Sequence, residues 1–208
     1  MSATFRLDRG AGRLFDGAGR SFDFEARVWT PDAEQTAGEP IELLEAVRWI
    51  QRETNARIRV PVGVIGPREA SDEQLRVAEA VGTGLADIGF VVICGGRGGV
   101  MEAACKGVER AGGLSIGLLP EVDAAAANPY LSVAIATGIG EARNALVARA
   151  ALCLVAIGDS LGTLSEVALG RQFGKKVIGI AGAAKVDGVM HVDTPVQAVR
   201  DFRQHISE

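Results

Sequence analysis

The feature that most constrains the fold is a regular alternation of short apolar segments with amphipathic helical segments after residue 59. The apolar segments are predicted to be strands that are buried on both faces: 60–65, 90–94, 114–119, 131–136, 152–157 and 177–180. The amphipathic segments are predicted to be helices: 71–88, 100–111, 141–151, 163–173 and 195–206. This alternation predicts an α/β fold with a doubly wound, Rossmann-like parallel sheet and helices on both faces.

The first 56 residues have a different pattern. Between Thr4 and Thr30 polar and apolar residues alternate and glycines serve as turn formers, which predicts a small antiparallel β-ribbon. Pro40 is interpreted as the start of a helix that ends near Asn55. The sequence therefore predicts an N-terminal ribbon and helix over residues 1–56, followed by a Rossmann-like nucleotide-binding domain over residues 57–208.

Glycine-rich turns mark the expected ligand site. In parallel sheets, ligands bind where the carboxyl ends of strands meet helix N-termini, because unsatisfied N–H groups and the helix dipole point there. Gly66 closes the first apolar segment and is a predicted ligand-binding position. The turn after the second segment is predicted to bind an anionic group through its open backbone: Gly95, Gly96, Arg97, Gly98, Gly99 and the adjoining Met101. Its spacing matches neither a dinucleotide fingerprint nor a Walker loop, so a tight turn with a solvent-facing arginine is the alternative.

A second turn precedes the helix predicted from residue 163. Ser160, Gly162 and Thr163 are predicted ligand-binding residues there, since such positions cap a helix or donate to an anion. Glu166 follows on the first turn of the helix. Its carboxylate is either a simple N-terminal charge favoured by the helix dipole or a group that faces a ligand as a base or ribose-binding residue.

A third turn opens the helix that carries Arg143 and Asn144. A cation is disfavoured at the N-terminal end of a helix, so Arg143 requires a compensating anion, which is Glu141, Glu166 or a ligand. A surface arginine is the alternative interpretation.

Two segments resemble a known superfamily: GGRGGVMEAACKG at 95–107 and TGIGEARN at 137–144. They are similar to the molybdenum cofactor carrier proteins, which share a superfamily with the cytokinin-activating phosphoribohydrolases called LOG (Lonely Guy). In the hydrolase branch, an arginine followed by a lysine acts together with the glutamate of Pro-Gly-Gly-x-Gly-Thr-x-x-Glu. The resemblance implies that Arg143 and Glu166 are the catalytic pair of any such activity. The chain departs from the hydrolase pattern at Asn144, which replaces the lysine, and at Gly158-Asp159-Ser160, which replaces Pro-Gly-Gly.

The resemblance implies a binding protein for a phosphorylated nucleotide or a molybdopterin-type cofactor. The alternative is a nucleoside 5′-monophosphate phosphoribohydrolase that releases a free base and ribose 5-phosphate, with no cofactor required for catalysis. The expected ligand is accordingly the molybdenum cofactor or an AMP-like nucleotide. A third interpretation is a structural or regulatory oligomer with a degenerate site, because Asp159 brings a carboxylate into a loop expected to hold phosphate.

Charge and cysteine content exclude several classes of partner. The formal net charge is −4 and Lys and Arg form no run longer than a pair, which argues against nucleic-acid and membrane partners. The three cysteines have no metal-ligand spacing and have apolar neighbours in the sequence, so they are expected to be reduced core thiols. We expect no metal site, a cytoplasmic location, and a homo-oligomer, either a dimer or a tetramer, assembled through the exposed ribbon.

Overall fold

The structure is a computed structural model that describes residues 5–23, 28–32, 38–53 and 59–200. The chain divides into two compact units, of which one contains the described residues up to Arg59 together with Arg200 and the other spans Val60–Val199.

The N-terminal unit contains an antiparallel sheet and one helix within its described residues. The elements are β1 (Phe5–Asp8), β2 (Arg13–Phe15), β3 (Arg20–Asp23), β4 (Val28–Pro31), β5 (Glu39–Ile41) and α1 (Leu43–Arg52). The order of the strands in the sheet is β4-β3-β2-β1-β5. The predicted ribbon is therefore part of a five-stranded sheet.

The prediction that a helix starts at Pro40 was wrong. Pro40 lies in β5, where it pairs with Arg6 of β1, and helix α1 begins at Leu43. Proline lacks the N–H that an inner strand must donate, but β5 is an edge strand, where this loss is tolerated. The helix ends at Arg52, and the predicted end near Asn55 lies outside the described residues.

The second unit confirms the predicted α/β fold. Its seven strands all pair in parallel, and helices flank the sheet. The strands are β6 (Val62–Ile65), β7 (Val92–Cys94), β8 (Ser115–Leu119), β9 (Val133–Ala136), β10 (Cys153–Ile157), β11 (Lys176–Ile180) and β12 (Val189–His191). The helices are α2 (Asp72–Asp87), α3 (Val100–Arg110), α4 (Asn144–Ala150), α5 (Leu161–Gln172) and α6 (Pro195–Arg200).

Strand order creates the crevice in which the site lies. The sheet runs β12-β11-β10-β6-β7-β8-β9, so the chain moves outward from β6 to β9 and then returns to the other side of β6 as β10. The loops that follow β6 and β10 consequently leave the sheet edge in different directions. In open parallel sheets this reversal point is where ligands bind.

Two helix pairs cover the sheet: α2 packs on α3, and α4 packs on α5. Small residues bring α2 and α3 together, since a Cβ at Gly82 would lie 2.1 Å from the carbonyl oxygen of Ala104. The start of α2 is the predicted capping box, in which Ser71 and Gln74 exchange side-chain and backbone hydrogen bonds. The three cysteines are buried, as expected for core thiols.

Several predicted boundaries differ from the structure. All four residues of β9 are exposed, because β9 is an edge strand and not an inner strand buried on both faces. The helix predicted over 141–151 is a 3-10 turn, Gly140–Arg143, that continues into α4, and β12 was not predicted. Helix α5 begins before Thr163 because Ser160 is its N-cap, and the last helix is described only to Arg200.

The close approach of α2 and α3 predicts opposite effects of two Gly→Ala substitutions on α2. A methyl at Gly82 would collide with backbone, so Gly82→Ala should cost about 1–3 kcal/mol of unfolding free energy. At Gly84 the nearest atom is a flexible Val199 methyl at 3.0 Å, so Gly84→Ala should be neutral or stabilising by up to about 1 kcal/mol. Urea denaturation of the two variants measures the difference, and equal effects would contradict this packing.

Candidate functional site

A cleft of about 890 Å³ lies at the carboxyl ends of the strands. Its walls come from the loops after β6, β7, β9 and β10 and from the first turns of α3, α4 and α5. The cleft thus lies at the reversal point of the sheet, and its size suits a small molecule.

Most of the sequence-predicted residues meet in this cleft. Those that line it are Gly66, Arg97, Met101, Arg143, Asn144, Ser160, Gly162, Thr163 and Glu166. The glycines of the turn after β7, namely Gly95, Gly96, Gly98 and Gly99, are not among the lining residues. Two of these glycines, Gly95 and Gly99, make room for side-chain and backbone groups of the cleft wall.

A buried ion pair forms the inner wall of the cleft. Arg143 is 5% exposed and Glu166 is 6% exposed, and Arg143 Nη1 donates a hydrogen bond to Glu166 Oε1 at 3.1 Å. Glu141 Oε2 lies 3.8 Å from Arg143 Nη2, although the Glu141 side chain is largely exposed. The unfavourable cation at this helix start is therefore compensated by Glu166 and Glu141, two of the anions that the sequence proposed.

The ionisation of Glu166 is strongly affected by its surroundings. Burial raises the pKa of Glu166 to about 7, although the nearby Arg143 guanidinium acts in the opposite direction. Removal of the carboxylate from water therefore outweighs its attraction to the arginine. A carboxyl group that titrates near neutral pH is suited to exchange protons or to form hydrogen bonds in either protonation state.

Asn144 fixes the orientation of Arg143. Asn144 Oδ1 accepts a hydrogen bond from Arg143 Nη1, and Asn144 Nδ2 donates to Ser165 Oγ at 2.8 Å. Ser165 Oγ in turn donates to the carbonyl oxygen of Gly162 at 2.7 Å. A lysine at position 144, as in the hydrolase pattern, has no acceptor and would place a second cation beside Arg143. The asparagine thus ties the guanidinium to the first turn of α5.

Gly95 makes room for the guanidinium. A Cβ at this position would lie 2.6 Å from Arg143 Nη2 and 2.9 Å from Met101 Sδ. Any other residue at this position would therefore displace Arg143 from its place against the turn. The glycine that we predicted to cradle an anion instead positions the cation of the cleft.

Gly99 holds the loop after β6 in place. Its φ is +69°, and a Cβ would lie 2.5 Å from the carbonyl oxygen of Pro67 and 2.2 Å from that of Arg68. Val100 N also donates to the Pro67 carbonyl oxygen at 3.1 Å. Only glycine combines this backbone conformation with so close a contact, so Gly99 fixes the backbone from which the Arg68 side chain extends.

Arg97 is already paired with protein carboxylates. Arg97 Nη2 donates a hydrogen bond to Glu121 Oε1, and Arg97 Nη1 lies 3.4 Å from Glu141 Oε1. The hydrogen bond from Arg97 also lowers the pKa of Glu121. A ligand anion at Arg97 would have to compete with both carboxylates, which weakens the case for Arg97 as a phosphate-binding residue.

The N-terminus of α5 offers backbone donors to the cleft. Ser160 Oγ caps the helix by accepting from Thr163 N at 3.1 Å and lies 2.9 Å from Thr163 Oγ1. The first backbone N–H groups of a helix have no partner within it, and Leu161 and Gly162 supply them here at the cleft wall. Asp159, which also lines the cleft, is exposed and therefore strongly screened by solvent.

Sequence analysis missed three polar residues of the cleft, namely Arg68, Glu69 and Ser165. Arg68 and Glu69 follow Gly66 directly, and the rule that places ligands at carboxyl strand ends identifies that loop. Ser165 gave no signal of its own, because its role depends on the contact between α4 and α5.

Two other features of the described residues bear on function. No cluster of three or more His, Cys, Asp or Glu side chains in these ranges is arranged to hold a metal ion. None of the helices in the described part of the chain has the length and apolar character needed to cross a membrane.

Comparisons with known proteins agree with this geometry. Residues 59–204 match the family described as the SLOG cluster4 family. An uncharacterized protein of Archaeoglobus fulgidus is 38% identical over 138 residues, which cover 66% of this chain and 91% of that protein.

Two similar solved structures carry functional names. The molybdenum cofactor binding protein of Rippkaea orientalis has 32% identity and a TM-score of 0.68, and the match covers 72% of this chain and 99% of the other. The molybdenum cofactor carrier protein of Chlamydomonas reinhardtii has 29% identity and a TM-score of 0.67, with coverage of 73% and 100%. Both confirm the fold, and the matched part is nearly the whole of each relative.

The buried Glu166 carboxyl predicts a pH-dependent stability. Because its pKa in the folded state is about 7 and its ordinary value is 4.5, the folded protein retains a proton that the unfolded chain releases. The unfolding free energy should therefore fall as pH rises from about 4.5 to about 7, by up to about 3 kcal/mol from this group. Glu166→Gln removes the titration and should remove this component of the pH dependence.

Urea denaturation of the native protein and of Glu166→Gln from about pH 5 to about pH 8 tests this prediction. The difference between their unfolding free energies should change across this range. Glu69→Gln, which removes an exposed carboxylate from the same cleft, is the matched control. A constant difference between the native protein and Glu166→Gln across this range would contradict the assignment.

Proposed function

The chain belongs to the SLOG cluster4 family, and from this membership and the geometry of the cleft we propose that it is a binding protein for a phosphorylated nucleotide or a molybdopterin-type cofactor. The observation that carries the proposal is the buried pair of Arg143 and Glu166, which lines the cleft beside the unpaired backbone N–H groups at the N-terminus of α5. This arrangement offers a cation, a carboxyl group and helix N–H donors to one small anionic ligand.

The cleft can accept such a ligand in a defined orientation. The N–H groups of Leu161 and Gly162 and the hydroxyl of Ser160 bind its phosphate, with Arg143 as the neighbouring cation. Glu166 binds a hydroxyl or amino group of the ligand, as an acceptor when ionised or as a donor when protonated. A molybdopterin-type compound has both a phosphate and amino groups on its ring, so these residues fit it without a protein ligand to the metal.

The charge of the cleft favours one well-placed phosphate over a polyanion. Three guanidinium groups and four carboxylates line it: Arg68, Arg97, Arg143, Glu69, Glu141, Asp159 and Glu166. A nucleic-acid strand needs a basic surface that is not offset by carboxylates. This balance supports the sequence-based expectation of a small-molecule partner.

The relatives support binding more than turnover. Both similar solved structures are named as proteins that bind or carry the molybdenum cofactor. The departures from the hydrolase pattern point in the same direction, because Asn144 and Ser165 hold Arg143 firmly against α5 and Asp159 adds a carboxylate near the expected phosphate. Binding tolerates these changes better than catalysis does, since catalysis requires additional stabilisation of the transition state.

Glu166 supports a second candidate function, that of a nucleoside 5′-monophosphate phosphoribohydrolase. In that reaction water attacks the anomeric carbon while the glycosidic bond breaks, and the base leaves with a proton. A carboxyl group with a pKa of about 7 can activate the water or stabilise the oxocarbenium-like transition state, while Arg143 holds the substrate.

The assembly and location stay predictions from the sequence. We propose a homo-oligomer in the cytoplasm, and the apolar residues exposed on the edge strand β9, Val133 and Ile135, support self-association.

Incubation with AMP separates the two candidate functions. We expect AMP to bind, as measured by calorimetry, and to remain intact over hours, as measured by chromatography for adenine. Glu166→Gln should alter the affinity for AMP by the contribution of one hydrogen bond, and Glu69→Gln should leave the affinity for AMP unaltered. Adenine release by the native protein and by Glu69→Gln, but not by Glu166→Gln, would replace the binding function with the hydrolase.

A further inference from the structure

A second cavity adjoins the cleft and shares one residue with it. This groove of about 570 Å³ lies between the N-terminal halves of α2 and α3. Leu75 and Ala103 are among its apolar lining residues, and Tyr130 lines it while packing against the core cluster of Met101. Arg68 lines both the cleft and the groove, so the two spaces meet at this side chain.

The backbone at this junction is held in a fixed position. A Cβ at Gly99 would collide with the carbonyl oxygens of Pro67 and Arg68, and Val100 N donates a hydrogen bond to the Pro67 carbonyl oxygen. The Arg68 side chain consequently extends from an anchored turn, although the side chain itself is exposed. Such an arrangement lowers the entropy cost of bringing a cation to a ligand, because only the side chain must be ordered.

Among the cations that line the two cavities, Arg68 and Arg76 have no carboxylate partner in the described part of the chain, and of these two only Arg68 lines the cleft as well as the groove. In the cleft, Arg143 pairs with Glu166 and Arg97 pairs with Glu121. In the groove, Lys106 lies 3.1 Å from Glu79. Among the described residues Arg68 forms no ion pair, so its charge is not already offset.

We propose that Arg68 binds the second phosphate of a two-part ligand that occupies both cavities. The ligand class is a heterocycle joined to a nucleoside by a pyrophosphate. One phosphate lies at the N-terminus of α5, the other is held by the Arg68 guanidinium, and the nucleoside enters the groove beside Tyr130. This inference rests on the proposed function, because the first half of the ligand occupies the cleft as described above.

The chemistry of the residues fits such a molecule. A guanidinium can donate two parallel hydrogen bonds to phosphate oxygens. A ligand whose single phosphate is bound at the N-terminus of α5 would leave these donors of Arg68 unused. The groove offers an aromatic surface and aliphatic side chains to a nucleoside.

The test compares the affinities of two probes, AMP and diadenosine 5′,5′-pyrophosphate, by calorimetry. In the native protein the pyrophosphate-linked probe should bind at least about tenfold more tightly than AMP, since one charge-assisted contact and a buried nucleoside are added. Arg68→Gln should reduce this ratio several-fold, because the charge-assisted contact is lost while the nucleoside can still enter the groove. Ala103→Phe, which fills the groove without touching the cleft lining, should do the same while AMP still binds.

Arg171→Gln removes an exposed arginine that lines neither cavity and should retain the full ratio. Thermal unfolding of each variant verifies that it is folded. Equal affinities of the two probes in the native protein, or an undiminished ratio in Ala103→Phe, would overturn the two-part ligand while AMP binding still supports the proposed function. Failure of both probes to bind would overturn the proposed function and this inference together.

Discussion

Arg143 and Glu166 place two ionisable groups in the interior at the edge of a parallel sheet, where removal of each charge from water costs several kcal/mol. The surrounding residues offset this cost by hydrogen bonds. Asn144 and Glu166 accept from the guanidinium, Ser165 holds Asn144, and Gly95 leaves the space that the guanidinium occupies. Residues from three parts of the chain therefore contact or make room for the Arg143 side chain, and the structure of the cleft wall depends on all of them.

The same pair underlies both of the functions that we propose as candidates. A neutral or ionised Glu166 can orient a ligand, and a carboxyl group poised near neutral pH can also take part in proton transfer. The surroundings of the pair decide between the two functions. Here the cation that follows the arginine in hydrolases is replaced by Asn144, a neutral residue that fixes Arg143 in place, and the loop before α5 contains Asp159. These departures are the reason that we propose retention of a ligand and not its cleavage.

The alternation of apolar and amphipathic segments was sufficient to predict the parallel sheet, because strands buried on both faces carry a strong local signal. The positions of Arg143, Glu166 and Ser160 in the cleft also followed from their place after strands. Contacts between distant segments were not predictable in this way. The effect of Gly95 on Arg143, the role of Ser165 and the position of Arg68 between two cavities all depend on packing across elements. Pro40 and β9 were misjudged because the sequence does not reveal which strands lie at a sheet edge.

We propose that the cleft holds a phosphorylated heterocyclic compound. Mass spectrometry can identify the small molecules that are released when the protein is denatured after purification under mild and reducing conditions. We expect a released compound that contains a heterocycle and at least one phosphate, in an amount that approaches one molecule per chain. Release of a stoichiometric compound that has no phosphate would contradict it.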